Sequence, residues 1–317
     1  MNNITVASSP HISSKETTSG IMRDVAIALV PALLVAVYLF GARAALVTAV
    51  SVAACLVFET LWCVAFKKPV TISDFSAVVT GMLLAFNLPA SIPIWQILVG
   101  AFVSIIIVKE IFGGLGRNFV NPALAGRVVM ALSFTSSMMD YSQPIRHFTS
   151  NYVDAASSAT PLAILAEGGS VSNVSLFLGE HSGVLGEVSC LALLIGGVYL
   201  CVRGVIKPII PVGYIASVFV FSWMFGYSAP LSFILSGGLF LGAIFMATDY
   251  VTSPYTDKGK WLYAICCGLL TTVIRMYSNS AEGVSYSILL MNLVVPYINQ
   301  ACRRKPYGTE VQHTNAR

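Results

Sequence analysis

The part of the chain with the clearest potential for chemistry is a short tract of small and hydroxyl-bearing side chains. It reads Asp154-Ala155-Ala156-Ser157-Ser158-Ala159-Thr160-Pro161-Leu162. The Thr160 hydroxyl has small neighbours and an acidic residue six positions earlier, a setting in which an enzyme could attach a bulky group covalently. A Ser/Ser/Thr run that ends in proline is also typical of a turn or a helix N-cap. These residues by themselves leave both interpretations open.

A glycine-rich stretch is the second candidate. Gly113-Gly114-Leu115-Gly116-Arg117-Asn118 could let a backbone or a cofactor approach closely, because glycine has no side chain. A flexible loop is the alternative interpretation. Directly after it, Asn121 and Pro122 predict a helix start, with asparagine as the N-cap and proline at the first helical position.

Ionisable side chains within or near apolar segments are costly and are therefore candidates for function. Glu59 lies about two helical turns before a pair of lysines, so a paired carboxylate and an ion site are both open. Asp249 either caps the following segment or holds a ligand. Lys109 and Glu110 are adjacent, so on a helix they point in different directions and need not pair.

The cysteines and histidines do not form a metal-binding pattern. No pair of the seven cysteines has CxxC spacing, and small buried residues are favoured over a cluster ligand or a redox role: Cys55, Cys63, Cys190, Cys201, Cys266, Cys267 and Cys302. The four histidines lie in the tails or in the longest polar connection, without ligand spacing: His11, His147, His181 and His313. We therefore predict that this chain alone binds no metal.

The composition places most of the chain in a lipid bilayer. Hydrophobic residues make up 56% and charged residues 10% of 317 positions, whereas about a quarter of a soluble domain is charged. A bilayer core requires roughly 20 apolar residues for each helical span. The first 20 residues are polar and contain no apolar core, so we expect no cleavable signal peptide. In a membrane protein a net charge of +4 does not indicate a nucleic-acid partner.

Apolar runs bounded by charge, proline or glycine predict an all-α integral membrane protein with about ten transmembrane helices. Five are expected near 22–40, 44–66, 75–90, 93–112 and 121–137, and five near 184–202, 207–225, 229–247, 259–276 and 282–300. The third is short for a full crossing. An odd number of spans in each group inverts the second group, which predicts two inverted five-helix halves, as in many transporters.

The distribution of positive charge predicts the orientation. With ten spans both termini share a side, and only Arg43, Arg146 and Arg275 lie opposite. The remaining basic residues lie on the side of the termini: Lys15, Arg23, Lys67, Lys68, Lys109, Arg117, Arg127, Arg203, Lys207, Lys258, Lys260, Arg303, Arg304, Lys305 and Arg317. Since Lys and Arg are enriched in cytoplasmic loops, we expect cytoplasmic tails at 1–20 and 303–317. The membrane domain is then 21–302, with an external loop at 138–183.

Three motifs resemble the family of Rnf D and Nqr B subunits. The first runs from Lys109 through the glycine-rich stretch to Leu124, and reads KEIFGGLGRNFVNPAL. The second is Phe245-Met246-Ala247-Thr248-Asp249, and the third is Lys258-Gly259-Lys260-Trp261 followed by a span that ends Ile274-Arg275. The motifs occur in order across most of the chain, which makes a chance match improbable.

The resemblance implies a covalent flavin. In that family the threonine of a Ser-x-Ala-Thr motif carries FMN through a phosphoester, which a flavin transferase installs from FAD, and Thr160 occupies that place. Asp154 and Ser157 to Ala159 match the transferase recognition pattern, except that Ser158 stands where many relatives have glycine. The resemblance also implies a second, non-covalent riboflavin within the membrane part. Gly113, Gly114 and Asp249 are candidates to contact that cofactor or a quinone.

Within the family the short polar N-terminus and Pro161 after the flavin threonine favour Rnf D over Nqr B. The resemblance then implies a flavoprotein subunit of an ion-translocating ferredoxin:NAD oxidoreductase in the bacterial inner membrane, coupled to Na⁺ or H⁺. Its implied partners are the A, B, C, E and G subunits, the flavin transferase and membrane lipid. The alternatives are the B subunit of a Na⁺-translocating NADH:quinone reductase, a small-solute channel without redox chemistry, and a cofactor-free scaffold.

Overall fold

The computed structural model describes residues 17–141, 144, 160–166, 169–187, 189–278 and 283–303. Within these ranges the protein contains helices and turns and no β-strand. The all-α prediction is therefore confirmed for the part of the chain that is described.

The first half begins with two long helices, α1 (Thr18–Phe40) and α2 (Ala42–Ala65). A 3₁₀ turn (Ile72–Asp74) precedes α3 (Ser76–Phe86), and α4 (Ile94–Phe102) continues directly as a π-helix (Val103–Glu110). α5 (Pro122–Ser133) is followed by the short α6 (Thr135–Met139). Asn121 accepts hydrogen bonds from Ala123 N and Leu124 N, which confirms the predicted N-cap with Pro122 behind it.

The predicted external loop contains two short helices, α7 (Pro161–Ala166) and α8 (Asn173–Leu178). α9 (Cys190–Val202) and α10 (Ile209–Met224) follow. The next predicted span is broken into α11 (Pro230–Leu235), α12 (Leu239–Leu241) and a π-helix (Gly242–Met246). The chain then forms α13 (Asp257–Tyr277) and α14 (Gly283–Ala301).

Three predicted boundaries are wrong. The helix expected at 75–90 ends at Phe86, because the main chain turns at Asn87 before Pro89. The helix expected from 184 begins at Cys190, since residues 181–187 form turns, in which Leu185 N and Gly186 N donate to Leu88 O and Phe86 O. The helix expected at 229–247 is interrupted at 236–238, where Gly237 has a φ of 67°.

Among the described residues two helices, α1 and α2, are long enough and apolar enough to cross a membrane, and α3, α5, α9 and α10 are shorter apolar helices. Large apolar side chains cover the outer faces of the helices. Leu132, Val202 and Trp223 are 70%, 80% and 70% exposed, which is unfavourable in water and suits hydrocarbon. These faces agree with a membrane protein.

The helices pack at short range through small residues. A Cβ on Gly81 of α3 would lie 2.7 Å from Val52 Cα of α2. A Cβ on Gly196 of α9 would collide with the Ala28 carbonyl oxygen of α1. Backbones that approach this closely need glycine at the contact, as is common between helices in membranes.

Candidate functional site

Thr160 lies at the start of α7. Its Oγ1 accepts a hydrogen bond from Ala163 N at 3.3 Å, and its carbonyl oxygen accepts one from Ile164 N at 3.1 Å. The helix-cap interpretation of this threonine is therefore confirmed, and it is compatible with modification, because an esterified Oγ1 can still accept a hydrogen bond. Asp154, Ser157, Ser158 and Ala159 lie outside the described residues.

Thr160 borders a pocket, which we call the Thr160 pocket. Its lining includes Arg127 of α5, Arg275 of α13 and Glu187 from the turn before α9. Gly237 and Gly238, which form the break between α11 and α12, also line the pocket, as does Leu162. A Cβ on Gly237 would lie 2.8 Å from Leu162 Cδ1 and 2.9 Å from Arg275 Nη2. Glycine at both positions of the break thus lets Leu162, Arg275 and Glu187 approach the main chain closely.

Arg127 is a pocket residue that the sequence analysis placed elsewhere. We predicted it among the basic residues on the side of the termini, but it lines the Thr160 pocket together with Arg275. Its Nη1 donates to the Asn87 side-chain oxygen and to Glu187 Oε1, the latter at 3.1 Å. A buried guanidinium requires such a partner, and the signal was available, since Arg127 interrupts an apolar helix.

Arg275 stabilises the break in the eighth predicted span. Its Nη1 and Nη2 donate to the carbonyl oxygens of Phe233 and Ser236 at 2.9 and 3.1 Å. The guanidinium also lies 5.3 Å from the centre of the Phe233 ring. These carbonyls are at the C-terminal end of α11, where a helix has no internal donors for them.

The second site, which we call the Lys109 pocket, is lined among others by Lys109, Asn118 and Asp249. Lys109 Nζ donates to Glu59 Oε2 at 2.7 Å and to Ser76 Oγ at 2.7 Å. Thr71 Oγ1 donates to the other carboxylate oxygen of Glu59 at 2.5 Å. Glu59 is therefore a paired carboxylate. Lys109 pairs with Glu59 and not with the adjacent Glu110, which agrees with the prediction that the side chains of Lys109 and Glu110 point in different directions.

The glycine-rich stretch borders the Lys109 pocket through Leu115 and Asn118. Gly113 and Gly114, which we predicted as cofactor contacts, have φ angles of 113° and 87° and form the turn after the π-helix. Gly114 N donates to Lys109 O at 2.9 Å. Their left-handed backbone favours glycine, and the predicted contact of these two residues with a cofactor stays a prediction.

Asp249 lines the Lys109 pocket and also caps the turn that follows it. Its carboxylate accepts hydrogen bonds from Val251 N at 3.3 Å and Thr252 Oγ1 at 3.1 Å. Burial raises the pKa of this carboxyl, and the bonds from Val251 and Thr252 oppose that rise. Both interpretations of Asp249, cap and pocket residue, are thus compatible with its position.

The described cysteines are free thiols, and Cys55, Cys63, Cys190 and Cys267 are buried. Among the described residues no group of three or more His, Cys, Asp or Glu side chains could hold a metal ion. His181, the one histidine within the described ranges, lines the Thr160 pocket and its Nδ1 lies 3.1 Å from Ser182 O.

Helices throughout the described residues, with apolar outer faces and buried charged groups at two separate pockets, are consistent with a helical membrane protein. The sequence profile of the NQR2, RnfD, RnfE family matches residues 5–308. The chain belongs to this family.

Three relatives illustrate its position in the family. It is 47% identical to the D subunit of the Na⁺-translocating ferredoxin:NAD⁺ oxidoreductase complex of Acetobacterium woodii, with 96% of each chain covered. It is 38% identical to the D subunit of the proton-translocating ferredoxin:NAD⁺ oxidoreductase complex of Clostridium ljungdahlii, with 97% of each covered. It is 36% identical to the D subunit of the ion-translocating oxidoreductase complex of Actinobacillus succinogenes, over 96% of this chain and 97% of the relative.

Proposed function

We propose that this chain is the D-type membrane subunit of a bacterial ion-translocating ferredoxin:NAD oxidoreductase and carries FMN on Thr160. The observation that supports this most is the placement of Thr160 beside a pocket that contains two guanidinium groups and a glycine-lined space. The full-length similarity to D subunits with that activity in their names supports the redox role. Both Na⁺ and H⁺ are coupling ions of these relatives, and we propose one of them for this chain.

The residues of the Thr160 pocket fit an esterified phosphate. In the attachment step Thr160 Oγ1 forms a bond to the FMN phosphorus of FAD, the bond to the AMP phosphate breaks, and the hydroxyl proton is released. A flavin transferase supplies this step and AMP leaves. Arg127 and Arg275 are positioned to stabilise the resulting anion, because guanidinium groups recognise phosphate well. Bound FMN would supply the electron-transfer chemistry, and the protein supplies its position and surroundings.

The grouping of helix ends supports ten alternating segments. The Lys109 pocket collects residues from the starts of α1, α3 and α5 and from the C-terminal ends of α9 and the π-helix Gly242–Met246. The Thr160 pocket collects residues from the end of α13, the start of α14 and the break before α12. Successive segments that cross the membrane in alternating directions would divide their ends between the two pockets in this way. We propose cytoplasmic termini near the Lys109 pocket and an external Thr160 pocket.

Helix packing supports two inverted halves. In the first half α2 packs on α3 and α4, and in the second half α10 packs on α11 and α13. α5 packs on α4, as α14 packs on α13. The halves meet through α1 with α9 and through α5 with α14. These contacts join the first segment to the sixth and the fifth to the tenth, as a two-fold relation between five-helix halves requires.

The Lys109 pocket is our proposed site for the second flavin, riboflavin. It lies at the opposite end of the helices from Thr160, and it combines apolar walls with Lys109, Asn118 and Asp249. We propose the A, B, C, E and G subunits as partners, the flavin transferase as the maturation enzyme, and the bacterial inner membrane as the location.

Intact-mass measurement after co-expression with the flavin transferase tests the proposal. The wild-type chain should gain one FMN less water, and peptide mapping should place it on Thr160. Thr160→Val should lose the addition while the protein remains inserted, whereas the matched Thr160→Ser keeps a hydroxyl and should retain it. An unmodified wild-type chain without bound flavin would contradict the proposal. Solute flux in liposomes would then separate the channel from the scaffold interpretation.

A further inference from the structure

Arg275 has an unusual electrostatic environment for a partly buried cation. Its Nε is buried and has no hydrogen-bond acceptor in the described structure. Its two Nη atoms bind neutral carbonyl oxygens. Among the residues that the structure describes, Arg275 forms no ion pair. A guanidinium whose Nε is buried without an acceptor, and which has no anionic partner, is unfavourable.

The Thr160 pocket as a whole carries an excess positive charge. Its described lining contains two guanidinium groups, Arg127 and Arg275, and a single carboxylate, Glu187. That carboxylate is already paired with Arg127 at 3.1 Å. Among the described lining residues the positive charges therefore exceed the negative charges by one, and the guanidinium without a paired carboxylate is that of Arg275.

We propose that Arg275 is the anchor for the phosphate esterified to Thr160, with its Nε as the donor. This inference rests on the proposed function, because the anion is the phosphodiester that joins Thr160 to the flavin. A phosphodiester carries one negative charge at neutral pH, which balances the excess positive charge of the described lining residues. Arg275 thereby positions the flavin at the pocket, and it binds the carbonyls of the α11 end at the same time.

A thermodynamic cycle separates the anchoring role from the structural one. The melting temperature of the purified chain is measured with and without FMN on Thr160, in wild type and in Arg275→Gln. FMN should raise the Tm of the wild type by several degrees, on the order of 4 °C. In Arg275→Gln the rise should disappear or reverse, because the new anion then lacks its partner. A purely structural role would lower both Tm values equally and leave the rise unchanged, which would overturn the anchor.

Arg43 provides a matched control. Its Nε and Nη2 donate to the carbonyl oxygens of Ala90 and Ile92 at 3.1 and 2.9 Å, so it binds a helix break as Arg275 does. It does not line the Thr160 pocket. Arg43→Gln should therefore lower the Tm of the modified and unmodified chains equally.

Two further variants keep the test decisive if Arg275→Gln does not fold. Arg275→Lys retains the charge and should keep most of the FMN-dependent rise. Glu187→Gln removes the only carboxylate among the described lining residues and should enlarge the rise. A rise that is lost in Arg275→Lys, or that Glu187→Gln leaves unchanged, would overturn the anchor alone. A wild-type chain that gains no FMN mass would overturn the proposed function and the anchor with it.

Discussion

At the scale of single residues, the pair formed by Glu59 and Lys109 shows how a buried charge is accommodated. Both side chains are almost fully buried, with exposures of 0% and 2%, and each has a second polar contact, to Thr71 or to Ser76. Removal of one partner leaves the other charge buried without compensation. The pair therefore keeps the wall of the Lys109 pocket in one conformation.

Glu59→Gln or Lys109→Met should each lower the free energy of unfolding by about 3–5 kcal/mol. The double variant should recover part of this loss, because it leaves no unpaired charge. Denaturant unfolding in detergent measures both. Lys207→Met is the control, since its pair with Asp257 is 59% and 45% exposed and should contribute about 0–1 kcal/mol. Losses that add in the double variant would contradict this account.

Asp249 should make stability depend on pH. Burial, the largest influence, raises its folded-state pKa above the ordinary value, so the folded protein binds the proton more tightly than the unfolded chain does. Ionised Asp249 thus lowers the free energy of unfolding. This loss of stability grows as the pH rises from the ordinary pKa of an aspartate through the raised pKa in the folded protein. Asp249→Asn should raise the Tm at pH 7, and the gain should shrink toward pH 4.

The comparison of Asp249→Asn with Asp257→Asn controls for the loss of charge itself. Asp257 is a partly exposed residue whose carboxylate pairs with Lys207 at 2.8 Å, so its replacement should bring no gain in Tm at pH 7. A gain for Asp249→Asn that stays constant from pH 4 to pH 8 would show that ionisation of Asp249 is not responsible.

At the scale of helices, the break between α11 and α12 connects backbone conformation to the Thr160 pocket. Gly237→Ala should destabilise in two ways, through the left-handed backbone with its φ of 67° and through the contacts of Cβ with Leu162 and Arg275. Gly226 is the matched control, because its φ is 78° and a Cβ there meets no atom within 4 Å. Gly226→Ala should cost about 1 kcal/mol, and Gly237→Ala more. If thermal unfolding shows equal losses of stability for Gly237→Ala and Gly226→Ala, then Leu162 and Arg275 move aside for the new Cβ at no cost.

Hydrophobic patterning predicted that the described part of this chain is helical, but not the interruptions within its helices. Periodicity reports which residues are apolar, and both halves of a broken helix are apolar. The ends of α3 and α11 are stabilised by distant groups, since Arg43 binds carbonyls after α3 and Arg275 binds those of α11. Contacts of this range are absent from any local window of sequence.

At the scale of the whole molecule, the division of helix ends between two pockets predicts labelling from opposite sides of the membrane. In a chain whose seven cysteines are replaced, Ser170→Cys should react with an impermeant maleimide from outside in intact cells. Lys258→Cys should react only after the cells are opened. Both positions are exposed, so the difference reports the side and not burial. Reaction of both from outside would contradict the proposed topology.

The sequence by itself determined the membrane class, the helical segments, the N-cap at Asn121, and the family and its candidate threonine, because composition, periodicity and motifs are local properties. The tertiary structure decided which distant groups meet. It placed Arg127 with Arg275 rather than with the basic residues near the termini, and it joined Glu59 to Lys109 across 50 positions. It also showed that Gly113 and Gly114 lie in a turn with left-handed backbone. The physical reason is that buried charges must find partners wherever the fold brings them close.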